Sequence, residues 1–209
     1  MNPKYQVAMA KYLALLDAVD RDVERARKLP GYVGCPLTCA DCCHAASILP
    51  VGVAEMEHLL DGFAALPDDV RAYVLDRARR AVALLEAHGV TPEGILSDPL
   101  GRASDLLDGR PEAPCPFLVG GVCSVYAHRP LICRVWGTPI FTGKGVDCCP
   151  KTFRERTIAI DDAVPYLDYW RKARTLSGSI EKEEKEPMAF LLLRKWAERR
   201  RRTPLSDPL

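Results

Sequence analysis

The chain has 209 residues, of which 48% are hydrophobic and 27% charged, so it can bury a core without disulfide bonds to hold it together. Its formal net charge of +1 gives no overall field to attract nucleic acid or an acidic membrane, so nucleic acid is not a favoured partner. The sequence has neither the ~20-residue apolar run of a membrane span nor the apolar segment of a secretion signal. We therefore expect a cytoplasmic protein without a membrane span.

The N-terminal segment has apolar residues at spacings of three and four, which predicts an amphipathic helix that ends near Pro30 and Gly31. The residues of its apolar stripe are Tyr5, Met9, Tyr12, Leu13, Leu16, Val19 and Val23. The same pattern returns after the first cysteines and predicts two further helices, from Val53 to Leu66 and from Asp68 to His88.

The segment from Val90 to Ala113 is rich in Gly, Pro and Asp, which predicts a surface connection with at most a short helix near residues 103–107. It is followed by CPFLVGGVCSVY, whose two apolar runs about Gly120-Gly121 predict a β-hairpin with Cys115 and Cys123 on opposite arms. Two more helices are predicted near residues 162–176 and 187–201, the second with proline at its first helical position.

The most informative residues are nine cysteines, because thiols stay reduced in the cytosol and an odd number argues against a disulfide framework. The spacing Cys39-x-x-Cys42 lets two thiolates reach one metal ion. Thiolates are soft ligands that favour zinc, Cu(I) and iron–sulfur clusters. We expect the fold to bring the early and late cysteines together. The nine are Cys35, Cys39, Cys42, Cys43, Cys115, Cys123, Cys133, Cys148 and Cys149.

Two other interpretations of these cysteines remain open. Free cysteines are often small buried hydrophobic residues, but burial alone does not require doubled cysteines or a Cys-x-x-Cys spacing. The pair Cys39 and Cys42 is also the spacing of a thiol–disulfide relay, although a relay leaves the other seven cysteines unexplained.

Two segments carry a known combination of motifs: CPLTCADCC, from Cys35 to Cys43, and CPFLVGGVCSVYAHRPLICRVWG, from Cys115 to Gly137. Together they resemble the YkgJ-type cysteine-cluster family, the CxxCxxCC zinc- or iron-chelating domain. The family pattern begins with a four-cysteine cluster and a helix, which correspond here to residues 35–43 and the helix from Val53. It continues with Cys-Pro-Phe-Leu at residues 115–118, Cys-x-x-Tyr at 123–126 and Arg-Pro-x-x-Cys-Arg at 129–134. The final cysteine of the pattern is Cys148 or Cys149.

The chain departs from the family pattern in two ways. Three residues, rather than two, separate Cys35 from Cys39, and the final cysteine is doubled. Cys149 fits the final position better, because it is followed by proline, and Cys148 is an additional candidate.

The resemblance implies a metal-binding region over about residues 35–150 of a single domain, 1–209, with helical extensions at 1–29 and 160–202. The implied metal ligands are Cys35, Cys39, Cys42, Cys43, Cys115, Cys123, Cys133 and Cys149, with Cys148 as the further candidate. Arg129 and Arg134 bracket Cys133, where they can offset the negative charge of bound thiolates. The expected fold class is mainly α: a small helical domain with a cysteine-rich loop and a short β-hairpin, organised around the metal site.

These observations favour an iron–sulfur cluster with a redox or enzymatic role. One alternative is a binding module that zinc stabilises and that has no catalytic activity. A second alternative follows from the flagellin lysine N-methylases, which resemble this family and transfer a methyl group from S-adenosylmethionine to protein lysines. The chain has no glycine-rich nucleotide fingerprint that would support this activity.

The last predicted helix, MAFLLLRKWAERRRR, combines an apolar face with a basic end. Such a helix is able to bind RNA, a membrane surface or a protein partner through its basic end. A helix that packs on the core and leaves this end in solvent has the same pattern, so both interpretations stay open.

Overall fold

The computed structural model describes residues 3–35, 39–44, 49–87, 89, 91, 114–153, 158–181 and 186–202. Within them lie six α-helices: α1 Pro3–Ala26, α2 Val53–Ala64, α3 Asp68–Ala87, α4 Leu131–Val135, α5 Tyr166–Ile180 and α6 Met188–Arg202. Three short 3-10 helices span Asp41–Cys43, Tyr126–His128 and Ile160–Asp162. The prediction of a mainly α fold is confirmed.

Short strands of two residues form three antiparallel pairs in the described part of the chain. The pairs are β1 Pro50–Val51 with β6 Glu186–Pro187, β2 Leu118–Val119 with β3 Val122–Cys123, and β4 Ile140–Phe141 with β5 Val146–Asp147. The second pair is the predicted hairpin, and both residues of its turn, Gly120 and Gly121, have positive φ angles of 57° and 81°. These angles match the turn that the Gly-Gly pair predicts.

Two compact units divide the chain. The first unit has the bounds Met1–Cys39, Gly52–Glu55 and Arg129–Glu183, and the second has Ala40–Val51, Met56–His128 and Glu184–Leu209. The single domain that the sequence predicts stays a prediction, and each unit is described below by itself.

In the first unit, α1 packs against α4 and α5. The buried face of α1 supplies the largest share of the core, because its apolar residues recur at helical spacing. The buried core residues of this unit are Tyr12, Leu15, Leu16, Val19, Val23, Ala26, Ala54, Leu131, Val135, Ile140, Val164, Tyr169 and Ala173.

In the second unit, α6 packs against α3 and against the β1–β6 pair. Phe63 lies at the centre of an aromatic group, with its ring edge-on to Phe117 at 5.9 Å and to Trp196 at 4.8 Å between ring centroids. The buried core residues are Val51, Met56, Leu59, Leu60, Phe63, Val74, Ala78, Ala81, Leu85, Cys115, Phe117, Val125, Met188, Ala189, Leu191 and Leu192. None of the helices in the described residues combines the length and the apolar character needed to cross a membrane.

Several predicted boundaries were wrong. Helix α1 ends at Ala26 rather than near Pro30. Leu13, which the sequence places on the buried stripe of this helix, is 46% exposed, because its side chain points about 100° away from that of the buried Tyr12. Helix α5 begins at Tyr166 rather than near 162, because Pro165 disfavours a helical conformation of the residue before it. Pro187 lies in β6 and not at the first position of α6. The short helix near 103–107 and the helix end at His88 lie outside the described residues.

Candidate metal centre

All nine cysteines lie within the described residues, and all are free thiols. The first unit contains Cys35, Cys39, Cys133, Cys148 and Cys149, and the second contains Cys42, Cys43, Cys115 and Cys123. Only Cys115 is buried, and the other eight are partly or fully exposed.

In the second unit, a backbone contact joins the early cysteines to the late ones. Cys42 and Cys43 lie in the 3-10 helix Asp41–Cys43, which the hydrogen bond from the Cys43 N–H to the Ala40 carbonyl closes at 2.8 Å. The carbonyl of Cys43 accepts a hydrogen bond from the N–H of Cys115 at 2.6 Å. The fold therefore brings part of the first cluster to the start of the Cys-Pro-Phe-Leu motif, as the sequence predicts.

The Cys-Pro-Phe-Leu motif forms a tight turn that begins at Cys115. The Leu118 N–H donates to the Cys115 carbonyl at 3.0 Å, and the backbone N–H groups of Phe117 and Leu118 act to lower the pKa of the Cys115 thiol. Hydrogen bonds from backbone N–H groups stabilise a thiolate more than a neutral thiol. The N–H groups of Phe117 and Leu118 therefore favour a thiolate at this position, whereas burial opposes it.

Burial raises the pKa of the Cys115 thiol to about 12, and the nearby Cys123 thiol adds to the rise. The two backbone N–H groups and the guanidinium of Arg77 act in the opposite direction. Without metal this thiol is neutral, and a buried neutral thiol is a poor nucleophile. The raised pKa disfavours the thiolate that a thiol–disulfide relay needs, and a metal ion that binds here has to displace the proton.

Cys123 reaches the same region from the other arm of the hairpin. Cys123 pairs in the β2–β3 register with Leu118, and Leu118 lies three residues after Cys115 in the sequence. Both Cys43 and Cys123 are partly buried against the core of the second unit. Cys43 and Cys123, from two distant parts of the sequence, thus contact the same core that contains Cys115.

In the first unit, Cys133 lies in the short helix α4, whose start is fixed by a buried carboxylate. The side chain of Glu55 accepts a hydrogen bond from the Leu131 N–H at 3.0 Å and another from the Gly52 N–H at 3.0 Å. Burial raises the pKa of Tyr12 and of Tyr166, and the charges of Glu55 and Cys133 raise both further. Cys133 therefore lies near a buried carboxylate and two tyrosines whose pKa values are raised.

The two arginines that bracket Cys133 make different contacts. The Nη1 of Arg129 donates to the Cys133 carbonyl at 3.1 Å. The Nη1 of Arg134 lies 3.0 Å and 2.8 Å from the two carboxylate oxygens of Asp20. Arg129 therefore stabilises the backbone at Cys133, and Asp20 compensates the charge of Arg134.

The first unit also brings Cys35 and Cys149 into neighbouring segments. Tyr32 and Phe153 form an antiparallel bridge, and the Val33 N–H donates to the Thr152 carbonyl at 3.0 Å. The carbonyl of Cys149 accepts hydrogen bonds from the N–H groups of Thr152 and Phe153 at 3.0 and 3.2 Å. Cys149 is therefore held in a closed turn, whereas the Cys148 N–H bonds to the side chain of Asp147 at 2.8 Å.

Sequence reasoning missed two residues, Arg77 and Glu55, that hold these segments. Each lies on a predicted helix beside apolar positions, Arg77 next to the buried Ala78 and Glu55 next to the buried Met56. A charged residue at the border of an apolar stripe was the available signal, but its partners are far away in the sequence.

Among the described residues, no group of three or more His, Cys, Asp or Glu side chains is arranged so that it could hold a metal ion. The chain matches no family model, and comparisons with curated proteins and with solved structures find no similar protein.

Proposed function

We propose that this chain holds a cysteine-ligated metal centre, an iron–sulfur cluster with a redox or enzymatic role, as expected of the YkgJ-type family. Its best-supported ligands are Cys42, Cys43, Cys115 and Cys123. The single observation that carries the proposal is the backbone contact between the two groups of cysteines, in which the Cys115 N–H donates to the Cys43 carbonyl at 2.6 Å. The further proposed ligands are Cys35, Cys39, Cys133 and Cys149, with Cys148 as an additional one.

The donor set suits this chemistry. Four thiols match the usual ligation of an iron–sulfur cluster, and hydrogen bonds to the sulfurs help to set its reduction potential. Sites of this kind gain folding free energy when they bind metal, so the side chains converge on the metal as it binds. The fold organised around a metal site is part of the same proposal.

A zinc-stabilised binding module is the second candidate, because four thiols also complete a closed tetrahedral zinc site. In that case the metal organises the surface and the helices carry the binding function, with the basic end of α6 as the proposed contact for a protein partner. Arg200, Arg201 and Arg202 are exposed at that end. A cytoplasmic location remains part of the proposal for either metal.

Elemental analysis of anaerobically purified protein, together with its absorption spectrum, tests the proposal. We expect iron with matching acid-labile sulfide and a charge-transfer absorption that bleaches on reduction. Stoichiometric zinc without visible absorption would favour the second candidate. Protein that contains neither metal, and that takes up neither after anaerobic reconstitution, would overturn both. Calorimetry with S-adenosylmethionine tests the methyltransferase alternative separately.

A further inference from the structure

Arg77 of α3 contacts both ends of the turn that holds Cys115. Its Nη2 donates to the Cys115 carbonyl at 3.1 Å, and its Nη1 donates to the Leu118 carbonyl at 2.8 Å. The planar guanidinium thus spans the four-residue turn with two separate donors, a geometry that lysine cannot reproduce.

The ring of Tyr73 fixes this guanidinium in turn. Nη1 of Arg77 donates to the Tyr73 hydroxyl at 3.0 Å, and the guanidinium carbon lies 5.4 Å from the centre of the Tyr73 ring. Tyr73 and Arg77 are one helical turn apart on α3, so the helix aligns them. The arginine is therefore held in place before any ligand binds.

The turn that Arg77 spans begins at Cys115, whose own N–H donates to the carbonyl of Cys43. Leu118 also pairs with Cys123 in the hairpin, so a fixed Leu118 carbonyl fixes the arm that carries the second thiol. Arg77 therefore bonds to the backbone at both ends of the turn that joins Cys115 to the arm facing Cys123.

The charge of Arg77 is available to this site. Within the described residues Arg77 forms no ion pair, whereas Arg80 on the same helix pairs with Asp76 at 2.7 Å. Several thiolates on one metal leave a net negative charge, which nearby cations and hydrogen-bond donors offset. Arg129 and Arg134, which the sequence suggests for this role, belong to the first unit.

We infer that Arg77 is the positioning residue of the cysteine site in the second unit, where it fixes the Cys115 turn and compensates the charge of the metal-bound thiolates. This inference rests on the proposed function. It assigns a role in metal binding to a residue outside every cysteine motif.

The test compares the variants Arg77→Gln, Arg77→Lys and Arg80→Gln with the unchanged protein, all in the full chain. Metal-free protein is titrated anaerobically with Co(II), and the thiolate-to-cobalt absorption gives the affinity. Alkylation of Cys115 by iodoacetamide in the metal-free protein, followed by mass spectrometry, reports independently on the turn. Circular dichroism checks that each variant is folded.

We expect Arg77→Gln to weaken Co(II) binding by about 10- to 100-fold, the range typical of lost contacts around a metal site. Arg77→Lys keeps the charge but not the two-point contact, so it should recover part of the affinity while Cys115 stays more reactive than in the unchanged protein. Arg80→Gln should behave like the unchanged protein, because its ion pair is exposed.

Unchanged affinity in Arg77→Gln, with normal Co(II) binding by the unchanged protein, would overturn this inference and leave the proposed function standing. An unchanged protein that binds no Co(II) would overturn both. If Arg77→Gln does not fold, Arg77→Lys decides: wild-type affinity and wild-type alkylation of Cys115 in that variant would overturn the two-point positioning role.

Discussion

Glu55 and Leu131 are joined by a hydrogen bond in which the Leu131 N–H donates to the Glu55 carboxylate at 3.0 Å. The other oxygen of this carboxylate accepts from the Gly52 N–H, and only 8% of Glu55 is exposed. One side chain thus satisfies the N–H groups at the starts of α2 and α4. Because α4 carries Cys133, Glu55 fixes the backbone of a proposed metal ligand.

Glu55→Gln should lower the free energy of unfolding by about 2 kcal/mol, since a hydrogen bond to a charged group contributes about that much. The amide keeps one acceptor but turns an NH2 group toward the other N–H. Urea unfolding measures the loss, with Glu86→Gln at an exposed position of α3 as the matched control. Equal stability of the two variants would contradict the capping role of Glu55.

Gly62 lies against the ring of His128 inside α2. A Cβ atom at Gly62 would come within 2.6 Å of the His128 ring, and that ring stacks on His58 at 4.7 Å between centroids. Gly62→Ala should therefore destabilise the protein by about 1–3 kcal/mol, although alanine normally stabilises a helix interior.

The sign of this effect should reverse when the ring is removed. In a His128→Ala background, Gly62→Ala should increase the free energy of unfolding by up to about 1 kcal/mol, the usual helix preference for alanine over glycine. Chemical denaturation of the four proteins in this double-mutant cycle measures both values. A loss of the same size in both backgrounds would contradict the contact.

The titration of Tyr169 should make the free energy of unfolding depend on pH in the alkaline range. Burial, followed by the hydrogen bond to Asp22 at 2.7 Å and the charge of that carboxylate, raises the pKa of Tyr169 from 10.0 to about 12. An acid whose pKa is higher in the folded state contributes stability that is complete below pH 10 and is lost as the pH rises through 12.

We therefore expect the stability difference between the unchanged protein and Tyr169→Phe to shrink as the pH rises from about 10 to about 12. Asp22→Asn should move the pKa of Tyr169 toward its ordinary value, because it removes the carboxylate. Urea unfolding and the near-ultraviolet absorption of phenolate follow the two effects. A stability difference that is constant over this range would show that Tyr169 does not titrate as described.

If the proposed metal centre is correct, Cys148 and Cys149 should contribute unequally to metal binding. Cys149 lies in the closed turn with Thr152 and Phe153, whereas the Cys148 N–H bonds to a side chain at an exposed position. Cys149→Ser should lose more metal than Cys148→Ser, and Cys123→Ser should lose metal and stability together, because the free energy of metal binding is part of folding. Metal analysis of the three variants measures this, and equal retention in all three would contradict the assignment.

The sequence predicted the elements that depend on local patterns. The apolar stripe around Tyr12 marks α1, and the Gly120-Gly121 pair marks the hairpin, because its positive φ angles require residues without a side chain. Helix α4 was missed, since its five residues are too few for a periodic pattern. Local sequence patterns therefore predict which long elements form, but they predict poorly the presence and the start of short elements.

The cysteine ligands that the spacings suggest stay a prediction, and the residues that support these segments were not predicted. The cysteine spacings are visible along the chain, and the N–H of Cys115 donates to the carbonyl of Cys43. Arg77 and Glu55 could not be predicted, because each bonds to backbone groups far from it in sequence and backbone groups leave no trace in residue identity. The partners of a backbone carbonyl are decided by tertiary packing alone.

The pairing of β1 with β6 sets the order in which the second unit can be completed during synthesis. Pro50 faces Pro187 in this pair, and α6, which follows it, covers α3. A ribosome delivers α2, α3 and the hairpin long before either partner from residues 186–202, so their apolar faces stay uncovered while the intervening chain is made. Distant pairings of this kind slow folding and prolong the exposure of apolar surface. The apolar face of α3 that α6 covers is therefore buried only after α6 has been synthesised.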